Sequence, residues 1–470
     1  MPFVGININL SCVLCIFAAL CSDSKILTET IMMFTKKLRA AAFVAAVVAA
    51  LWATSCSNES KESTGLPAIP ATGIKVPEGF AATLVADSLG PARHIAVTPE
   101  GNIYVKLGAP KNGQGTVMLT PDGGQSRIKT GFGDFGGTGI YIKNGYLYTT
   151  SNTSIFRYKL NDKNEVIDPN APETIVSGLI DRDQHESKSI VLDNDGNIYV
   201  NIGAYSNACQ EKDRVKDGEP GSKGMNPCPI LDSAGGIWRF KADVANQTYK
   251  DGVRYATGLR NVVGLDWNQE LNQLFVMQHG RDKLGEYYPQ YFDMKQSAEL
   301  PAECMYALKE GDNCGWPYMY YDQFQKKKIV MPEYGGDGKK EADSKYIDPV
   351  AAYPGHLAPN GLLFYTGNQF PEKYKNGAFI AFHGSWNRLP EPQAGFFVVF
   401  QPFENGKPSG DYEVFADGFS GSPENTATGN ALRRPCGLAQ GPDGSIYVTD
   451  DKMGGVFKIS YASQSSGAAQ

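Results

Sequence analysis

The chain has 470 residues, 42% of them hydrophobic, which is ample for a large buried core. Its 52 glycines and 28 prolines are too many for a helical protein and suit a chain of many tight turns. A formal net charge of −6, with no run of lysine and arginine long enough to suggest a basic patch, argues against nucleic acid as a partner.

The N-terminus reads as an address. Residues 1–31 look like an extension upstream of the natural start. Residues 32–55 follow the pattern of an export signal: Lys36, Lys37 and Arg39, then an apolar run, then small residues. Ala53-Thr54-Ser55-Cys56 resembles a bacterial lipoprotein cleavage site, so Cys56 is expected to carry the lipid and tie the chain to a membrane. Residues 56–73 then form a flexible tether. An ordinary signal peptide or a single membrane anchor are the alternatives, and each places the protein outside the cytoplasm, periplasmic or at the cell surface.

From residue 74 to residue 462 one phrase recurs: a Gly- or Asn-containing turn followed by an apolar-aromatic strand. Its six copies are TPEGNIYVKL (98–107), IKNGYLYTTS (142–151), LDNDGNIYVNI (192–202), WNQELNQLFVMQ (267–278), EKYKNGAFIAFH (372–383) and GPDGSIYVTD (441–450). Each follows another apolar strand, and most precede two more. Period-two alternation bounded by turn residues is a hairpin signature, and four antiparallel strands per unit make a propeller blade. The expected fold is therefore all-β, a six-bladed β-propeller. The last unit lacks a fourth strand, which residues 79–87 can supply by closing the ring from N- to C-terminus. Uneven spacing predicts an insertion over about 281–350 in the fourth unit, and residues 463–470 read as a disordered tail.

Downstream of Cys56 stand Cys209, Cys228, Cys304, Cys314 and Cys436. In an oxidising compartment the close pairs Cys209–Cys228 and Cys304–Cys314 read as disulfides, leaving Cys436 as a buried thiol. Zinc is the rival reading, though no CxxC spacing remains in the mature chain.

The propeller register sorts the loops. Strand 1–2 turns are short and generic; the loops of the opposite face hold Arg93-His94, His185, Arg260-Asn261, His279-Gly280-Arg281, His356, His383 to Arg388 and Arg433-Arg434. All five histidines fall on that face. For any one of them, capping a strand is as good an explanation as chemistry; together they describe a basic, His-bearing funnel. Arginine forks suit carboxylates, and histidine is the usual general base, so the residues point to an anionic cofactor or substrate and to proton abstraction.

The segments TGLRNVVGLDW (257–267), GDNCGWPY (311–318), YPGHLAPNGLLFY (353–365), GAFIAFHGSWNR (377–388) and RPCGLAQGPDGSIYVTDD (434–451) resemble the soluble quinoprotein sugar dehydrogenases, in their sorbosone and pyranose dehydrogenase branch. The resemblance runs from about residue 74 to 460. It implies a propeller that binds pyrroloquinoline quinone (PQQ) with calcium and oxidises a sugar or sugar-derived alcohol or aldehyde, passing electrons to an unidentified acceptor. By the same resemblance His185 is the base, and Arg260 and Asn261 hold the quinone, with Arg260 stabilising charge on it. Main-chain carbonyls of Gly280 and Arg281 ligate calcium, and His356, Arg388 and Arg434 contact the cofactor. Arg388 stands in for a lysine of the glucose dehydrogenases. Two departures stand out. Val263 replaces a glutamine, and Ile202-Gly203-Ala204 lacks the aspartate that orients the family's base. Trp386 and Tyr205 are candidates to stack on a sugar. A calcium-dependent lactonase-type propeller and a non-enzymatic binding propeller remain as alternatives.

Overall fold

The computed structural model describes residues 72–462. The expected leader, the lipidation site at Cys56, most of the tether and the tail lie outside the described residues.

Six four-stranded antiparallel blades follow one another along the chain. The first is built from Ala92–Val97, Ile103–Lys111, Gln114–Asp122 and Gln125–Phe132. The second takes Ile140–Lys143, Tyr146–Thr150, Ile155–Lys159 and Glu173–Ser177; the third takes Ile190–Leu192, Asn197–Ile202, Gly236–Lys241 and Val253–Thr257. The fourth comprises Val262–Asn268, Gln273–Gln278, Glu303–Leu308 and Ala351–Tyr353; the fifth comprises Pro359–Phe364, Gly377–Phe382, Phe397–Glu404 and Glu413–Ala416. The sixth has Pro435–Gln440, Ile446–Asp450 and Gly455–Tyr461, and its outer strand is Phe80–Ala86 from the N-terminal side. That strand pairs antiparallel with Gly455–Tyr461, so the ring closes as expected. First strands touch in the cyclic order of blades one to six and back to one.

Local chemistry explains the blades. Gly101, Gly145, Gly196 and Gly444 occupy the same point of the strand 1–2 turn, with φ of 83°, 77°, 76° and 82°. That left-handed backbone is open to glycine at no steric cost. The core is a set of apolar layers between neighbouring blades. Ile155 and Tyr148 pack with Ile198, Val200 and Trp238 of the next blade, and Phe379, Phe400 and Phe415 pack with Ile446, Val448 and Phe457. Each fully buried side chain of this size contributes about 1.5–3 kcal/mol of apolar transfer.

The blades' inner ends also aim the functional residues. In blades one, four, five and six the first strand breaks register at its upper end, between Ala92 and Ile95, Val262 and Leu265, Pro359 and Gly361, and Pro435 and Leu438. A bulge re-aims consecutive side chains. Arg93 and His94 sit inside the first of these irregularities.

Two expectations need correction. The span 281–350 is not one insertion, because the third strand of blade four, Glu303–Leu308, lies within it. Two excursions result: 279–302, with short helices Leu284–Tyr287 and Met294–Glu299, and 309–350, with the hairpin Met319–Asp322/Lys327–Val330. The Cys304–Cys314 disulfide does not form. Cys209 and Cys228 are bonded, with Cα atoms 6.2 Å apart, while Cys304, Cys314 and Cys436 are free and buried. Cys304 is fixed in a blade-four strand, whereas the chain beyond it crosses to blade three, where the Cys314 N–H donates to the Thr257 carbonyl at 2.9 Å. Burial pushes the Cys304 thiol up to about 12, so it stays protonated and unreactive.

Candidate active site

His185 sits in the loop entering blade three with φ 53°. Its Nδ1–H donates to the main-chain carbonyl of Ala204, which answers the missing aspartate: a backbone oxygen orients the ring. Gly203 makes room for it, since a Cβ there would lie 2.6 Å from His185 Cβ and 3.2 Å from Asn261 Oδ1. His185 and Asn261 therefore face each other across Gly203. The Ala204 N–H donates to the Arg260 carbonyl at 2.8 Å, which ties the base to the arginine's backbone.

Four histidines place one ring nitrogen on a main-chain carbonyl. His94, His279 and His356 use Nε2, on Asn360, Pro359 and Ser297 at 2.9, 3.2 and 2.9 Å. His185 uses Nδ1, so its outer nitrogen, Nε2, is the free one. His383 has a carboxylate partner, with Nε2 2.7 Å from Asp451 Oδ1, but its Nδ1 lies 3.4 Å from Arg434 Nη1, and both nitrogens are engaged. Each of the four on main-chain carbonyls thus keeps one ring nitrogen without a protein partner: Nε2 in His185, Nδ1 in His94, His279 and His356.

Arg260 is 4% exposed and lies in a nest of oxygens. Nη1 donates to the Gly280 carbonyl at 2.8 Å; Nη2 donates to Asp282 Oδ2 at 2.8 Å and Asn207 Oδ1 at 3.1 Å. Its Nε–H and the Asn261 Oδ1 are buried and have no protein partner. Asp282, which sequence reasoning missed, is the hub. It also accepts from Arg214 Nη2 at 3.0 Å and Asn387 Nδ2 at 2.8 Å, and against desolvation the charges of Arg260 and Arg214 hold its carboxyl well below the usual range. Across the mouth, Arg434 Nη1 donates to the Gly384 carbonyl at 3.1 Å, and its guanidinium lies 5.0 Å from the Phe396 ring. Asp451 bridges Arg93, at 2.7 Å, and His383. His279 feels the charges of Arg260, His383 and Arg93 together, which places Arg260 and the Arg434–His383 pair on one face. Four arginines (93, 214, 260, 434) stand at the mouth against Asp213, Asp282 and Asp451, and the pocket beside His185 is also lined by Asp183 and Glu186, so carboxylates meet most of the positive charge the sequence suggests.

The other expected residues divide. His356 is buried with Asp282 in its field, beside the mouth. Arg388 is a structural arginine instead of a cofactor ligand. It donates to the carbonyls of Pro392 (3.2 Å), Ala298 and Gly355 (both 2.8 Å) and to Glu299, which uses four of its five N–H groups. Arg388→Ala is expected to lower the melting temperature by several degrees while leaving cofactor uptake unchanged, as thermal unfolding and a binding titration would show. The calcium expectation concerns the main-chain carbonyls of Gly280 and Arg281. The Gly280 carbonyl already serves Arg260, and Arg281 is wholly buried in an ion pair with Glu333 at 2.5 Å. Trp386 is 62% exposed on the rim, between the pinned Ser385 and Asn387.

Buried titratable groups give the fold a defined pH window. Burial lowers His94 to about 4 and His185 and His279 to about 3, while it raises Glu303 to about 8 and Asp266 to about 7. The depressed histidines contribute stability present above their unfolded pKa and lost as pH falls; the raised carboxyls contribute stability present in acid and lost as pH rises. The expected profile of melting temperature against pH is a plateau from roughly pH 5 to 7 that falls on both sides.

The fold and this Arg- and His-bearing mouth define the class: a six-bladed propeller with a polar, partly unpaired site on the loops of one face. The TrAA12-like family matches residues 74–462, and the chain belongs to that family. A "Pyrroloquinoline quinone-dependent sugar dehydrogenase" of Hypocrea jecorina is 20% identical over 346 residues, covering 69% of this chain and 73% of that protein. A "Pyrroloquinoline quinone-dependent pyranose dehydrogenase" of Coprinopsis cinerea is 27% identical over 278 residues, 51% of this chain and 36% of that one. An uncharacterised protein of Borreliella burgdorferi is 30% identical over 207 residues, 44% of this chain; the match spans 48% of that relative. Among solved structures, the calcium structure of the Trichoderma reesei family AA12 enzyme has a TM-score of 0.66 at 19% identity, covering 86% of this chain and all (100%) of that one. The holo PQQ domain of Coprinopsis cinerea pyranose dehydrogenase has 0.64 at 20%, covering 82% and 97%. Both structural likenesses show the fold.

Proposed function

We propose that this protein is a PQQ-dependent dehydrogenase that oxidises a hydroxyl of a sugar or sugar-derived alcohol or aldehyde. The observation that carries the reading is the unpaired, buried pair of Arg260 Nε and Asn261 Oδ1 beside the free Nε2 of His185. Most buried polar groups are paired in native proteins, so two orphans side by side next to a free imidazole nitrogen are a place for a ligand to complete. A cofactor with three carboxylates and ring heteroatoms fits the unpaired Arg260 Nε–H and the Arg434 guanidinium across from it, and Arg260, Asn261 and Arg434 would hold it. When bound, PQQ supplies a two-electron acceptor for the hydride leaving the substrate carbon. His185 Nε2 takes the hydroxyl proton, and the Ala204 carbonyl keeps Nδ1 protonated so that Nε2 carries the lone pair. Arg260, held on its far side by Asp282, faces developing negative charge without reorganising.

The Gly280 carbonyl accepts one hydrogen bond, from Arg260 Nη1, and its second lone pair and the Arg281 carbonyl oxygen are what would face calcium. No step is routed through calcium. A lactonase-type site is disfavoured by the axial cavity of about 270 Å³, whose lining carries one carboxylate, Asp266. Calcium demands six to eight oxygens.

The test is uptake of PQQ by apo-protein, with and without calcium, followed by dye reduction across a panel of aldoses and ketoaldoses. Sugar- and PQQ-dependent reduction is expected. Lactone hydrolysis without PQQ, or no uptake of the quinone, overturns the reading. The same proposal places the mature protein outside the cytoplasm, held to a membrane by lipid on Cys56, on the strength of the Ala53–Cys56 sequence. Cys56→Ser should release it into the soluble fraction.

A further inference from the structure

Asn207 lies two residues before the Cys209–Cys228 bridge and is 0% exposed, and every polar group on it is used. Its Oδ1 accepts from Arg260 Nη2 at 3.1 Å and from the Asp282 N–H at 2.9 Å, while its Nδ2 donates to the Asp282 carbonyl at 3.1 Å. Its own N–H donates to Asp213 Oδ1 at 2.9 Å, and its carbonyl accepts from Trp316 Nε1 at 3.1 Å. A carboxamide both accepts from a guanidinium and donates to a carbonyl, which a carboxylate at this position does not.

The disulfide-closed loop adds further grips. Arg214 donates to Asp282 Oδ2 at 3.0 Å, and Asp213 accepts from Gln184 Nε2, next to His185, at 3.0 Å. The loop itself is closed by the bridge, by Met225 N–H on the Cys209 carbonyl at 2.9 Å, and by the Tyr334 hydroxyl on the carbonyls of Ala208 and Cys209. Both the arginine and the base of the site thus lean on one covalently closed loop.

We propose that Asn207 is the positioning residue for Arg260 and that the Cys209–Cys228 bridge keeps it in place, so that the cofactor site is complete only in the disulfide-bonded protein. The proposal rests on the reading of Arg260 as a quinone-holding residue. Removing supports of this kind from a bound group's ligands typically costs 10- to 100-fold in affinity.

The test compares the full chain with Asn207→Ala and with the double variant Cys209→Ala/Cys228→Ala, and also uses wild type treated with a thiol reductant. Hydrogen exchange of the apo-protein and a fluorescence titration with PQQ are the readouts, with thermal unfolding to confirm that each sample is folded. Expected are faster exchange at the Asp282 amide and about 10-fold or more weaker PQQ binding, with exchange in the remote blade strands unchanged. If the double variant does not fold, the reduced wild type below its melting temperature carries the disulfide arm. Unchanged Asp282 exchange in Asn207→Ala, or PQQ affinity insensitive to reduction, overturns the inference. A wild type that never takes up PQQ, with Asp282 exchange still accelerated in Asn207→Ala, sinks the cofactor reading and upholds the positioning.

Discussion

Replacing His185 with alanine is expected to lower turnover by about 10²- to 10⁴-fold while leaving PQQ uptake nearly intact. The size follows from the role: a positioned base contributes that much, and His185 is the one histidine of the five whose Nε2 has no protein partner. His383→Ala is the matched control. It removes the histidine that does have an aspartate partner, 2.7 Å away, but whose second nitrogen is beside Arg434. If His383→Ala were the silent enzyme and His185→Ala the active one, the assignment of the base would be reversed. The pH profile separates the two further. Desolvation first, then the Arg260 charge, lowers His185 to about 3, so the imidazole is neutral at every pH above that. In the cofactor-free protein an NMR titration of its ring should therefore show no step near pH 6.5, where an ordinary histidine switches. Such a basicity is too low for an efficient base in an empty mouth. Bringing carboxylates against Arg260 removes part of that charge, and the cofactor-loaded protein should take up protons as it binds. A potentiometric titration during PQQ addition reads this directly.

The propeller was legible because its signals are local. The turn glycines at 101, 145, 196 and 444 and the alternating strands after them are set by backbone geometry within a few residues. The closing strand Phe80–Ala86 was legible by subtraction, since an unfinished last blade must be completed from somewhere. His185, Arg260 and Asn261 were found by face and by family resemblance. What failed was the choice of partner. Nothing within ten residues of Arg388 says that its fork turns toward Ala298 and Gly355 and away from the mouth. Cys304 and Cys314 are close in sequence, yet they belong to different blades. Asp282 and Asn207 escaped notice for the same reason: their importance lies in contacts spanning 22 and 53 residues to Arg260. The orienting partner of His185 was invisible in principle, because a main-chain carbonyl has no letter in the sequence. The missing aspartate counted against His185 only while side chains were the sole candidates.

Arg260→Ala is expected to weaken PQQ binding by roughly 30- to 4,000-fold, the range that corresponds to removing one partner of a buried charge pair, about 2–5 kcal/mol. Two losses add. The donor toward the cofactor disappears, and the Gly280 carbonyl and one oxygen of Asp282 lose their partner in a place where water is largely excluded. Arg214 and Asn387 still hold Asp282, so the fold should survive with a lowered melting temperature. Lysine is no substitute. An ammonium is a point charge on a flexible stem, and it cannot span Gly280, Asp282 and Asn207 while presenting a further N–H to a ligand, as the guanidinium does. Arg260→Lys should therefore recover only a fraction of the affinity. Asp282→Asn isolates the pair. If Asp282 acts by holding Arg260, its effect on PQQ binding should largely vanish in the Arg260→Ala background, a coupling that a double-mutant cycle measures. Additive losses would mean that Asp282 meets the ligand itself. Full affinity in Arg260→Ala would remove the cationic mouth from the function altogether, because no other arginine here pairs burial with an unmet N–H beside the base.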